Sequence, residues 1–172
     1  MTQSGMNDLS GAVRELYRAI ERFDTTAAYR LGVDRSGLRA VNAMERGAIS
    51  PGELSEHLGL TSGAVTALLD RMEAAGHVQR NAVSGDARRR EADLSKRTRR
   101  NAHTVYNLLG EAIGSGLSAF HESQREVILK GLLTLATAFN EAAKKTQTLH
   151  DGKSDGMVDL GLTAAIVQQS IT

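Results

Sequence analysis

The chain has no cysteine, no tryptophan, one proline and only six aromatic residues, three Tyr and three Phe, in 172 positions. Without cysteine there can be no disulfide, thiolate metal centre or cysteine-based redox sensor. With so few aromatics, any core must come from Leu, Val, Ile, Ala and Met. A single proline, at position 51, leaves long helices unbroken. No apolar run approaches the ~20 residues of a membrane span. The first seven residues have neither the basic nor the apolar region of a signal peptide, so a cytoplasmic protein without membrane association is expected. Phosphate loops, nucleophile elbows and metal motifs are also missing, so neither catalysis nor a cofactor is expected. The histidines at 57, 77, 103, 121 and 150 form no i, i+4 pair, and no metal site is expected.

Net charge is only +1, but it is unevenly spread. Residues 78–100 hold eight basic side chains (Arg80, Arg88, Arg89, Arg90, Lys96, Arg97, Arg99 and Arg100) against Asp86, Glu91 and Asp93. This +5 stretch leaves −4 for the rest of the chain. A confined basic stripe on an acidic body suits nucleic acid. A solvated helix face is the plainer alternative.

Apolar periodicity predicts a mainly α-helical chain. Leu9, Val13, Leu16, Tyr17, Ile20 and Phe23 mark a first helix over residues 8–29, ended by Gly32. Leu38, Val41 and Met44 mark a second, stopping at Gly47. Ser50-Pro51-Gly52-Glu53 is a capping-box start for a third helix over residues 51–58. Gly59-Leu60-Thr61 then turns the chain, and Thr61 caps a fourth helix reaching Ala75. Its inward stripe is Val65, Leu68, Leu69 and Met72. Two strand-like runs, 77–82 and 90–94, flank the turn Ser84-Gly85-Asp86 as a hairpin. Long helices follow, one ending near Phe120 and one carrying Val127, Ile128, Leu132, Leu135, Ala136 and Phe139. Gly110, Gly114 and Gly116 weaken the former, or serve a bend or a close helix approach. From Gln147 the composition turns polar and glycine-rich.

Two short helices joined by a glycine turn form a helix-turn-helix. Ser62, Gly63, Thr66 and Ala67 are small enough for the second helix to enter a major groove. Their hydroxyls and methyls can meet base edges, and Thr61 and Arg71 flank them. The same small residues would also suit simple helix packing. Arg88, Arg89 and Arg90 follow a turn, where a wing would carry an arginine into the minor groove. Asp86 can brace Arg88 through a charge-assisted pair.

The block from Leu54 to Val78, with Asp86-x-Arg88 behind it and Leu94-Ser95 leading into a long helix, resembles the MarR family of winged-helix transcription regulators. The resemblance extends from about Leu9 to Lys145. It implies a MarR-like domain over residues 8–146, with a winged helix-turn-helix at about 34–95. Dimerisation helices would occupy about 8–31 and 96–146. Residues 147–172 have no counterpart and read as a linker with an extension, either disordered or a short helix. The family likeness implies a homodimeric repressor on a pseudo-palindromic DNA operator. Ser62, Gly63 and Thr66 fall on base-reading positions and Arg88 on the wing tip. It also implies release by a small aromatic or phenolic ligand, for which Arg14, Tyr17, Tyr29 and Tyr106 are candidate lining residues. Two positions depart from the family pattern. Val83-Ser84 stands where many relatives enter the wing with Asp-Pro, and Arg90 stands where an apolar strand residue is common. The alternatives are a metal-responsive regulator of the same fold and a helical dimer acting as an interaction module without DNA.

Overall fold

The computed structural model describes the backbone of residues 3–83 and 86–151. Side chains are described throughout these except at 3, 4, 6, 82, 83, 86–89 and 147–151. The order is α1 (Gln3–Leu31), α2 (Arg35–Ala43), α3 (Pro51–Leu58), α4 (Ser62–Ala74), β1 (Val78–Val83), β2 (Asp86–Leu94), α5 (Lys96–Leu117) and α6 (Glu122–Asp151). The expected fold class is the one observed: mainly helical, with a small antiparallel hairpin.

Helix starts are set by local chemistry. Asp34 caps α2 by accepting from Gly37 N. Ser50 and Glu53 form a reciprocal capping box on α3, with Pro51 in its first turn. Thr61 caps α4, accepting from Ala64 N at 3.3 Å. Each cap supplies an acceptor for an N–H that the helix itself leaves unpaired. Gly59 ends α3 with φ +65°, and Gly76 follows α4 with φ +74°. A side chain is strained in that left-handed region, so glycine lets the chain reverse tightly at both ends of α4.

Hydrophobic burial then assembles one lobe. Leu38, Val41, Met44, Leu54, Val65 and Leu69 are almost completely buried and mutually clustered. Ala27 and Leu31 join from the end of α1, Val78, Ala92 and Leu94 from the hairpin, and Ala102 from α5. The hairpin pairs Val78 with Leu94 and Arg80 with Ala92, and its register shifts at Ala82/Val83. Ile49 adds a third edge by exchanging both backbone hydrogen bonds with Ala92, at 2.9 Å each.

Several elements differ from the sequence expectation. The second strand starts at Asp86 instead of residue 90, so the arginine run lies on strand backbone. Of that run only Arg90 has a partner in the register, opposite Ala82; the next pair is Val83 with Asp86, across the irregularity at Ala82/Val83. Helix α6 continues to Asp151, past the compositional change at Gln147. The first strong helix breaker after that change is Gly152. Gly110, Gly114 and Gly116 have open space where a Cβ would stand. Among the described residues they therefore serve no close helix approach.

The chain divides into two compact units at Gly114/Ser115. In the first, α1 leaves Leu9, Leu16, Tyr17 and Ile20 between 42% and 54% exposed. In the second, Val127, Leu129, Leu132, Leu133 and Phe139 on α6 are exposed.

Leu54, fully buried on α3, reports on the core and Ser50 on the cap. At fixed protein concentration, Leu54→Ala is expected to lower unfolding free energy by about 2–5 kcal/mol. Ser50→Ala should cost about 1 kcal/mol. Urea unfolding followed by circular dichroism distinguishes the two.

Candidate nucleic-acid interface

The orientation of α4 is fixed by its own apolar stripe. Val65, Leu68, Leu69 and Met72 are all buried. Burying that stripe turns Thr61, Ser62, Gly63, Thr66, Ala67, Asp70 and Arg71 outward, and all are exposed. The turn before it is held at several points. Leu60 N donates to Ser55 O at 3.1 Å, and the Ser55 hydroxyl donates to Leu60 O. Arg39 donates to Leu58 O at 2.8 Å.

At the exposed helix start, the N–H groups of Ser62 and Gly63 lie outside the helical ladder. Nothing lies within 4 Å of where a Gly63 Cβ would be, so another backbone can approach closely there. Thr66 donates its hydroxyl hydrogen to Ser62 O at 2.9 Å. Its oxygen lone pairs and methyl remain for a partner. Arg71 is turned back towards the lobe, 3.5 Å from Asp34 Oδ2, and donates weakly to Ala67 O at 3.4 Å. A phosphate contact by Arg71 would have to compete with that exposed pair, which is worth little.

The wing leaves the core gradually. Paired residues of an antiparallel ladder share a face. Val78 with Leu94 and Arg80 with Ala92 therefore line the inward side in succession, and Arg90, opposite Ala82 in the register, comes next. Val78, Leu94 and Ala92 are buried, Arg80 is half-buried and Arg90 is exposed. Arg90 thus has the inward parity of a core residue, but it lies beyond the end of the core. Asp86, Arg88 and Arg89 have side chains outside the described residues.

Arg80 was not singled out as a site residue from sequence, yet it joins the wing to α4. Its guanidinium donates to Asp70 Oδ1, and its buried Nε stands 3.5 Å from Glu73 Oε2 without a hydrogen bond. Asp70 and Glu73 are three apart on one helix face, the spacing that could have signalled a shared cation. Arg99 does similar work at the other end of the sheet. It pairs with Asp93 of β2 and donates to Glu45 O at 3.0 Å.

The four candidate ligand residues are not gathered in one place. Tyr106 lines a cavity of about 400 Å³ with Asn42, Glu45, Arg99 and His103. Its hydroxyl donates to Asn42 Oδ1 at 2.6 Å and its ring packs 5.6 Å from that of Phe23. Burial pushes the Tyr106 hydroxyl above the ordinary phenol range, and Asp24 and Glu45 act in the same direction. The phenol is thus held protonated as a donor. Tyr29 is 84% exposed and borders other cavities, while Arg14 and Tyr17 are exposed on α1. Arg99, His103 and Tyr106 stand at i, i+4 and i+7, a helical spacing legible in the sequence. Among the described residues no three His, Cys, Asp or Glu come together as metal donors.

A model of the MarR family matches residues 31–89. The HTH-type transcriptional regulator YcgE of Bacillus subtilis is 28% identical over 132 residues, covering 74% of this chain and 86% of that protein. Among solved structures, a MarR family protein from Bacillus stearothermophilus superposes with a TM-score of 0.66 at 20% identity. That match covers 81% of this chain and 99% of the other. A mutant of S. aureus MepR bound to an oligodeoxyribonucleotide gives a TM-score of 0.51 at 16% identity, covering 76% and 97%.

A double-mutant cycle on Arg80→Ala and Asp70→Ala measures the clamp between wing and helix. Asp70 is 60% exposed, so a coupling of about 0.5–1 kcal/mol is expected by denaturant unfolding. Hydrogen exchange in Arg80→Ala should accelerate in β1 and β2 before α2. Uniform acceleration would mean that Arg80 supports the lobe as a whole and not the wing.

Proposed function

We infer that this chain, a MarR-family transcriptional regulator of winged-helix fold, binds a pseudo-palindromic DNA operator as a homodimer and represses the gene it controls. The family is one of transcription regulators and not of enzymes. The observation carrying this reading is the outward face of α4. Small residues and unpaired backbone N–H groups stand opposite a buried stripe, beside a hairpin that bears the arginine run. The oligonucleotide held by the MepR mutant of the same fold supports it.

In this reading the N-terminal turn of α4 enters the major groove. Ser62 and Gly63 approach through backbone N–H groups, and Thr66 and Ala67 present methyl surface to thymine. Thr61 and Arg71 flank the contact. Arg88 probes the minor groove with Asp86 as its brace, and Arg89 and Arg90 meet phosphates. Homodimerisation supplies the second half-site. The apolar side chains left exposed on α1 and on α6 support it, because a lone chain would keep them in water. Residues 8–146 form the dimerising DNA-binding part, and the remainder is an extension. No described helix is long and apolar enough to cross a membrane, which accords with work on DNA in the cytoplasm. The cavity beside Tyr106 supports a small-molecule effector that favours one spacing of the two lobes.

Fluorescence anisotropy with DNA from upstream of the chain's own gene tests this reading. Affinity should fall steeply with salt, and Arg88→Ala should reduce the log–log slope by about 1. Gly63→Ala has room in the free protein, so it should preserve folding while weakening binding at least about tenfold through steric conflict with DNA. Sedimentation should give twice the 18.4 kDa chain mass. Binding that is absent, or indifferent to both salt and Arg88, would refute the DNA reading.

A further inference from the structure

The structure contains a second cavity, of about 320 Å³, at the junction of the end of α1, the turn after α4 and the start of α5. Arg30, Arg97, His77, Thr98 and Asn101 line it together with Tyr29, and no carboxylate is among its lining residues. Many of the chain's other arginines are held by a carboxylate. Arg18 and Arg22 pair with Glu15, Arg35 with Glu21, Arg71 with Asp34, Arg80 with Asp70, and Arg99 with Asp93. Arg30 and Arg97 have no ion-pair or hydrogen-bond partner among the described residues, and both border this one cavity.

Polar side chains are linked beside it. Ser95 Oγ donates to Thr98 Oγ1 at 3.1 Å, and Thr98 Oγ1 stands 3.4 Å from His77 Nδ1. Thr98 thus links Ser95 and the His77 ring in one hydrogen-bonded chain at the edge of the cavity. The carbonyl ends of α1 and α4 oppose a negative guest by roughly half a charge each. Two full guanidinium charges outweigh them.

We propose that this junction is a binding site for a small oxyanion, carboxylate or phosphate, that acts as an effector of the regulator. Arg30 and Arg97 are its charge partners, and His77 and Asn101 add polar contacts. Arg30 and Arg97 are both exposed, and a planar or tetrahedral oxyanion in the cavity they border would gain a charge-assisted contact from each. The position favours a free small molecule over a DNA phosphate. The reading end of α4 is Ser62, and Ala75 at the cavity lies about 20 Å further along the helix axis at 1.5 Å per residue. The guest would touch the turn Ala75–His77, which joins α4 directly to β1, and would also touch α1 and α5. It can therefore bias the setting of the reader helix against the long helices. This effector role rests on the DNA-binding reading above, whereas the anion site itself does not.

The full chain is titrated with inorganic phosphate and separately with succinate, in low-chloride buffer, by calorimetry and by NMR of the arginine side-chain N–H signals. One saturable site per chain is expected, with Arg30 and Arg97 signals moving. Arg30→Gln/Arg97→Gln should weaken it at least about tenfold, as loss of two charge-assisted contacts requires. Each single substitution, together with Asn101→Ala, gives a smaller loss and stands in if the double variant misfolds. No saturation by about 10 mM phosphate or succinate, or saturation that the double variant retains, overturns the site. Anisotropy on operator DNA without added anion separates the two readings. If the double variant there loses affinity and salt slope, the pocket belongs to the DNA backbone and the small-anion assignment fails. Anion binding by a chain that ignores DNA would sink the regulator reading and leave the site standing.

Discussion

The apolar stripe of α4 is the constraint on which the rest of this lobe depends. Val65, Leu68, Leu69 and Met72 repeat at the helical period, and all four are buried. At about 1.5–3 kcal/mol per fully buried side chain, the stripe fixes the rotation of α4 far more firmly than any surface contact could. A rotation of one residue, about 100°, would drive Thr66 into the core and Leu68 towards water in one sense, or Arg71 inward and Leu69 outward in the other. The outward face is thus a by-product of the inward one. Small residues there leave open space beside the helix backbone, as at Gly63.

Electrostatics then places the hairpin on a helix that packing has already oriented. The sheet leaves the core in three steps, from buried Val78, Leu94 and Ala92, through half-buried Arg80, to exposed Arg90. Arg80 occupies the step where hydrophobic contact runs out. Asp70 and Glu73 meet its head while its stem continues the apolar surface. An aliphatic residue at that position could pack but could not tie the strand to carboxylates on α4. Arg99 fastens the base of β2 to the end of α2 in the same way, using one side-chain and one backbone acceptor. The wing is therefore held by charge at both margins and by apolar burial between them.

The sequence made legible those features that arise locally. The starts of α3 and α4 follow from Ser50 with Glu53 and from Thr61, and both caps form as read. The stripe of α4 and the left-handed Gly32, Gly59 and Gly76 follow from spacing and glycine alone. What escaped the reading depends on contacts distant along the chain. Ile49 joins the sheet through Ala92, forty-three positions on, and no local pattern marks an isolated bridge. The strand over Asp86–Leu94 begins earlier than its composition suggests, because Asp86 pairs back with Val83 across an irregularity in the register. Among the candidate site residues, the outward placement of Ser62, Gly63, Thr66 and Ala67 was readable from the helix period. The pairing of Arg71 with Asp34 was not, since it joins α4 to the turn before α2. The ligand candidates fared differently because tyrosines were chosen by type. Tyr106 lines a cleft, and its neighbours there come from α2 and the end of β2 as well as its own helix.

Two of the cavities of this lobe bear on one question, how a small guest could alter the proposed grip on DNA. Binding energy alone shifts nothing; only a difference in affinity between two conformations does. The cleft at Tyr106 is walled by α2, the end of β2 and α5, with Arg99 in its lining. A guest that drew Arg99 from Asp93 and Glu45 O would loosen the base of the hairpin. The basic junction at Arg30 and Arg97 instead abuts the turn behind α4. A guest there would draw two positive side chains together and tighten α1 against α5 at the point where α4 passes into β1. The first site would act on the wing and the second on α4. Because α4 and β1 are joined by the short turn Ala75–His77 and clamped again through Arg80, neither can move far without the other. A lobe packed this closely would shift between discrete settings and not deform continuously. Effectors at either site would be expected to compete or cooperate through those shared settings, and by linkage each would change the other's affinity by the same factor.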